Sequence, residues 1–135
     1  MTSKLILCFS IIFLIILSDQ IIKAIVVRSS FVVSCNTGFA FGIGQSALSG
    51  LISSLVLLVV IYALYKEQKK LTYLALSLVI GGGVSNLIDR LIRGCVVDFI
   101  DLRIWPAFNL ADAAITIGVG VVIFSFIRGL IPKHV

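Results

Sequence analysis

Between residues 29 and 65 the chain carries no charged side chain, and between residues 5 and 18 there is none either. Apolar runs on this scale cannot clothe a water-soluble domain, whereas a helix crossing a bilayer needs about 20 such residues. Composition agrees, with 60% of the 135 residues apolar and 13% charged, against roughly 25% charged in soluble domains. Mean hydropathy is +1.21. The chain therefore reads as a single membrane-embedded domain, 1–135, in which four spans with short loops use nearly all the length. The net charge of +5 fits the basic bias of cytoplasmic loops, so no nucleic-acid partner is expected.

The first span is expected over about 5–27, interrupted by Asp19, Gln20 and Lys23. Lys4 before an apolar core resembles a secretory signal, but no A-x-A-like cleavage site follows, so an uncleaved anchor is expected. Residues 34–45 carry three glycines among β-favouring neighbours and are expected to be non-helical, a loop or short β-ribbon. Further spans are expected over about 47–65, 71–91 and 110–130, with a charged turn at 66–70 and extracytoplasmic segments at about 28–46 and 92–109. Trp105 suggests an interfacial anchor.

Four spans place both termini on one side. With that side cytoplasmic, Lys4, Lys66, Lys69, Lys70, Arg128 and Lys133 lie inside, and Lys23, Arg28, Arg90, Arg93 and Arg103 outside. The positive-inside bias is small, and burial of Lys23 and Arg90 would sharpen it. Asp19, Asp89, Asp98, Asp101 and Asp112 then share the outer side, leaving only Glu67 within.

Cys8, Cys35 and Cys95 form no C-x-x-C pair, and the single histidine is His134 at the C-terminus. No metal, no cofactor and no catalytic thiol are expected. A Cys35–Cys95 disulfide is conceivable if both face an oxidising compartment, but we read these cysteines as small apolar filler.

An acid within or beside a span costs roughly 2.5–3.5 kcal/mol on insertion scales, so several on one side need a common reason. Asp19 and Lys23, four apart on one helix face, could simply neutralise each other. Gly82, Asn86 and Arg90 recur at the same spacing, with Asp89 beside them. Their glycine face either packs helices or lets a substrate chain or helix one approach closely, above polar groups that could orient an anionic ligand.

Asp98 and Asp112 are each embedded in apolar sequence, with Trp105 and Pro106 between them. A loop folding back would set one beside the other. Two adjacent carboxylates share a proton, so one can act as base on a water while its partner donates to a carbonyl. Asn109 and Asp112 also match a capping box at the start of helix four. Both readings can hold, and residue pattern alone leaves catalysis, structure and an ion pathway open.

At these residues the chain resembles the lipoprotein signal peptidases (signal peptidase II), small four-span aspartic proteases of the bacterial cytoplasmic membrane. The matching segments are Ser18-Asp19-Gln20-Ile21-Ile22-Lys23, Asn36-Thr37-Gly38-Phe39-Ala40-Phe41-Gly42, Gly82-Gly83-Val84-Ser85-Asn86-Leu87-Ile88-Asp89-Arg90, Gly94-Cys95-Val96-Val97-Asp98-Phe99-Ile100-Asp101 and Phe108-Asn109-Leu110-Ala111-Asp112. Five segments in the family's order are highly specific.

The resemblance implies catalytic Asp98 and Asp112, with Asp19, Lys23, Asn36, Gly38, Asn86, Asp89, Arg90, Asn109 and Ala111 surrounding and supporting them. It implies an all-α membrane protein of four transmembrane helices, with a small extracytoplasmic β-cradle at about 28–45 and a short interfacial helix within 100–105. The expected partners are membrane lipid and diacylglyceryl-modified prolipoproteins, cut just before the lipidated cysteine, with globomycin as inhibitor. Phe39 stands where a small residue is usual, Ser85 replaces a glycine, and the cradle is short; these departures bear on the substrate groove rather than the reaction. Cys95 replaces another residue, in keeping with a non-catalytic role.

Two other classes compete. A small transporter or proton relay could hold the same acids, but would leave the loop motifs unexplained. A scaffold would need only the small-residue faces and would tolerate neutral replacements at Asp98 and Asp112.

Overall fold

The computed structural model describes residues 2–29, 34–38 and 46–130. Residues 30–33, most of the glycine-rich stretch at 39–45 and the tail bearing His134 lie outside the described residues, as do those parts of the expected cradle.

Four long helices form where the apolar runs fall: α1 Thr2–Arg28, α2 Ser46–Lys66, α3 Lys70–Arg93 and α4 Leu110–Leu130. Each is long and apolar enough to cross a membrane, and helices are favoured there because every backbone group bonds within its own segment. Two short strands, β1 Ser34–Asn36 and β2 Val96–Asp98, complete the fold.

α3 is the central element, touching α1, α2 and α4. Its small residues make this possible. A Cβ on Gly82 would lie 2.4 Å from the Ala111 carbonyl oxygen and 2.8 Å from Ile115 Cγ1, so α4 can approach only a glycine there. Gly81 faces Ile12 and Ile15 of α1. The glycine face is thus filled by α4 and α1, which removes the option of a substrate chain lying against it. At the opposite end, Lys4 Nζ donates to the Leu64 and Glu67 carbonyls, satisfying oxygens that the end of α2 leaves open.

Gly94 ends α3 at φ 76°, its N–H bonded to the Arg90 carbonyl, a left-handed cap that suits glycine. The chain turns at once into β2, which pairs antiparallel with β1: Ser34 opposite Asp98, Cys35 opposite Val97 and Asn36 opposite Val96. The expected ribbon is therefore made between two distant segments. After β2 the chain folds back on itself, with Phe99 and Ile100 N–H donating to Phe108 O and Phe108 N–H to Ile100 O. That closure brings Asp98 to the start of α4.

Two expectations need correction here. Cys35 and Cys95 are joined in a disulfide, with Cα atoms 5.5 Å apart, and are not filler. The antiparallel register sets Cys35 opposite Val97, two residues from Cys95 and on the same face of the ribbon. The segment 100–105 starts at the Ile100–Phe108 bridge and bends at 103–105, without a short helix. Asp101 Oδ1 accepts the Arg103 N–H at 2.8 Å, and Arg103 takes φ 62°, a local turn that competes with helix.

Candidate active site

Polar side chains that spacing puts on two neighbouring rows of α3 build the site. Ser85, Asp89 and Arg93 recur every four residues toward α1; Gly82, Asn86 and Arg90 form the adjacent row toward α4. The first row meets Asp19, Gln20 and Lys23 of α1. Lys23 Nζ lies 2.7 Å from Asp19 Oδ2 and 2.8 Å from Asp89 Oδ2, all three side chains fully buried. Arg93 pairs with the other Asp89 oxygen, so two cations match two carboxylates. The pairing expected between Asp19 and Lys23 alone is part of this larger cluster.

Every carboxylate oxygen in the cluster has further work. Asp19 Oδ2 accepts Ser85 Oγ at 2.7 Å, and Oδ1 accepts the Ala111 N–H at 3.1 Å, tying α1 to the first turn of α4. Asp89 Oδ2 accepts the Val97 N–H at 3.1 Å, and Oδ1 accepts Gln20 Nε2 at 3.0 Å. One buried ionic cluster thereby fixes both segments that carry Asp98 and Asp112. Buried charges are tolerated only when paired and hydrogen-bonded this fully.

Two asparagines connect the cluster to these acids. Lys23 Nζ donates to Asn86 Oδ1 at 3.1 Å, and Asn86 Nδ2 donates to Asp112 Oδ1 at 2.7 Å. Asn109 Nδ2 donates to Asp98 Oδ1 at 2.7 Å and also reaches Asn86 Oδ1 at 3.2 Å. The capping box is present: Asp112 N–H donates to Asn109 Oδ1 at 2.8 Å, and Asn109 N–H to Asp112 Oδ2 at 3.2 Å. Asp98 and Asp112 are therefore held to a common asparagine.

Burial pushes the Asp98 carboxyl up to about 6, the nearby Asp112 charge adds to the rise, and hydrogen bonds from Asn36 and Asn109 and the charge of Lys23 oppose it. Asp98 thus keeps its proton to a higher pH than an ordinary carboxyl does, beside a second carboxyl.

Both acids open on a cavity of about 590 Å³ whose walls include Asn36, Arg90, Leu102, Trp105 and Phe108. Arg90 NH2 donates to the Gly38 carbonyl at 3.1 Å. Its buried Nε has no hydrogen-bond partner among the described residues. Among the described residues Arg90 makes no ion pair with Asp89, whose partners are Lys23 and Arg93, and the charges of Asp112 and Asp98 act on Arg90 more strongly than that of Asp89. Asn36 Oδ1 accepts the Gly38 N–H at 3.0 Å, a side-chain turn that closes the end of β1.

Asp19, Lys23, Asn36, Gly38, Asn86, Asp89, Arg90, Asn109 and Ala111 all fall in this network with the two acids. Sequence reasoning gave no role to Gln20 and Arg93, although the four-residue spacing from Ser85 through Asp89 to Arg93 marks the row. Ser85 stood only as a departure from a family glycine; its hydroxyl bonds Asp19.

The sequence profile of the family described as signal peptidase (SPase) II matches residues 11–128. The lipoprotein signal peptidase of Thermodesulfovibrio yellowstonii is 36% identical over 137 residues, 87% of this chain and 92% of that protein. Those of Blochmanniella pennsylvanica and Halalkalibacterium halodurans are each 43% identical, over stretches spanning 68% and 65% of their own lengths and 74% and 69% of this chain. A bacterial membrane enzyme solved by the in meso method at 2.3 Å resolution superposes with a TM-score of 0.84 at 29% identity, over 95% of this chain and 93% of that one. The chain belongs to the signal peptidase II family, the lipoprotein signal peptidases.

Proposed function

We propose that this protein is a membrane aspartic endopeptidase that removes the signal peptide from diacylglyceryl-modified prolipoproteins, cutting just before the lipidated cysteine. The observation that carries the reading is the convergence of Asp98 and Asp112 on Asn109 at the wall of one cavity. Membership of the family supports the substrate class.

The pair shares one proton. The ionised carboxylate takes a proton from water as the water attacks the scissile carbonyl, and the protonated partner donates to the carbonyl oxygen. The tetrahedral intermediate collapses as one carboxyl gives its proton to the departing amine and the other carboxylate takes back the proton of the diol hydroxyl, breaking the C–N bond, re-forming the carbonyl and leaving the pair with one proton again. Asn86 and Asn109 supply donors that hold each carboxyl in place. Arg90 and Asn36, at the cavity wall, bind the peptide backbone or an anionic group of the substrate.

Both termini lie in the cytoplasm and the site opens near the extracytoplasmic face of the inner membrane, where substrate and lipid arrive. The Cys35–Cys95 disulfide beside the site supports this side, since disulfides persist in oxidising compartments such as the bacterial periplasm. The test is purified protein incubated with a diacylglyceryl-modified prolipoprotein, with and without globomycin. Cleavage before the lipidated cysteine, blocked by globomycin, is expected; an uncut substrate contradicts the reading.

A further inference from the structure

Cys35 directly precedes Asn36, and Cys95 lies three residues before Asp98. We propose that the Cys35–Cys95 disulfide is a positioning element of the active site, a covalent brace that holds Asn36 against Asp98 and Gly38 against Arg90, so that turnover depends on the oxidised bond. The proposal rests on the reading of Asp98 and Asp112 as the catalytic pair.

β1 and β2 are three residues each, and a two-stranded ribbon is at best marginal by itself. Besides this ladder, the contacts that tie residues 34–38 to the other described residues include single hydrogen bonds: Arg90 to the Gly38 carbonyl at 3.1 Å, Asn36 to Asp98, and Ser49 Oγ to the Thr37 carbonyl at 3.3 Å. Each such bond contributes little net stability. The disulfide instead joins positions 60 residues apart in sequence, excluding the many arrangements in which β1 stands off β2. Cys95 is buried at the root of β2 while Cys35 is exposed, so the brace runs from the helical body to the strand that must be held.

Breaking the brace has a chemical signature. Asp98 faces Asp112 on α4, Lys23 on α1 and Arg90 on α3, and the Asn36 hydrogen bond favours its ionised form. When β1 moves away, that bond is lost and water reaches a carboxyl whose burial is the larger influence on its proton, so the limb of the pH profile that Asp98 governs departs from that of the oxidised protein.

The experiment compares oxidised protein, the same protein treated with tris(2-carboxyethyl)phosphine, and a Cys35→Ser/Cys95→Ser variant, all in a Cys8→Ser background and assayed on a diacylglyceryl-modified prolipoprotein. Reduction converts the bond to two thiols, with two electrons from the phosphine, two protons from water, and the phosphine leaving as its oxide. Reduced protein and the double variant should each lose about ten- to hundredfold in kcat/KM, with a lower kcat. Their pH limb should shift, reoxidation should restore the reduced sample, and the double variant should ignore the phosphine. Asn36→Ala should add little loss to the double variant. Reduction acts on protein already folded, so it decides the matter even where the double variant accumulates poorly. Reduced protein with kcat/KM within twofold of the oxidised form, on an unshifted pH profile, would overturn the brace while leaving the catalytic reading intact. Oxidised protein that cuts nothing would overturn both.

Discussion

Lys23 Nζ donates to Asn86 Oδ1 at 3.1 Å, and that contact decides which way the Asn86 amide points. An ammonium has only donors to offer, so the amide oxygen must face it and the amide nitrogen is left to donate to Asp112. The buried cation thus reaches the Asp112 carboxyl through one oriented side chain.

Lys23→Met should be costly for the fold. It leaves Asp19 and Asp89 buried with one cation fewer, and breaking a buried pair in this way costs about 3–5 kcal/mol. Thermal unfolding in detergent and accumulation in membranes measure it. A variant as stable as its parent would show that the cluster does not hold α1 to α3.

Arg90→Lys should spare the fold and weaken processing about ten- to hundredfold, roughly 1–3 kcal/mol. Its guanidinium reaches Gly38 from the cavity wall, whereas lysine offers a point charge without the planar fork. Turnover per folded enzyme is the measurement. A fully active lysine variant would remove Arg90 from substrate positioning.

Gly82→Ala should push α4 off α3, because the added Cβ meets the Ala111 carbonyl at 2.4 Å. Ala111 is also the residue whose N–H binds Asp19, so the strain falls one residue from Asp112. Overpacking of this kind costs about 1–3 kcal/mol, and loss of processing should accompany the drop in melting temperature. An unchanged melting temperature would mean that the helices part freely at this point.

Much of this arrangement was legible in the sequence because helices repeat. Charge-free runs located four helices, and the spacing of Gly82, Asn86 and Arg90, or of Asp19 and Lys23, named residues that share a face. The Asn109 and Asp112 pair announced its own cap. What could not be read depended on contacts between distant segments. The pairing of β1 with β2 and the disulfide across it join stretches 60 residues apart, and nothing in either stretch names its partner. The turn at Asp101 and Arg103 was missed for a local reason: a side chain captured a backbone N–H, and the expected helix gave way to it.

Orientation can be tested by labelling in a Cys8-free protein that keeps the disulfide. Asp101→Cys should react with an impermeant maleimide added to outer-membrane-permeabilised cells, and Lys69→Cys should not. The reverse pattern would invert the topology and place the disulfide in a reducing compartment.

The raised Asp98 pKa has a consequence for stability. Its folded value is about 6 against an ordinary 3.8, so the folded protein binds this proton more tightly than the unfolded chain does. The stabilisation is fully present below about pH 4 and lost as pH rises through 6. Asp98→Asn, which cannot ionise, should therefore gain on its parent by about 1–2 kcal/mol between pH 4 and 7.5, less than the full shift would give because the site opens to a cavity. Unfolding measured across that range tests it; a difference independent of pH would mean that burial does not hold Asp98 protonated.

The most direct measurement is single-turnover cleavage of a diacylglyceryl-modified prolipoprotein by folded Asp98→Asn and Asp112→Asn variants beside the parent. If the two carboxyls activate water together, each variant should lose cleavage by at least about a thousandfold, although binding of the substrate persists. Either variant cutting at a rate near the parent's, before the same lipidated cysteine, would contradict the assignment of Asp98 and Asp112 as the catalytic pair.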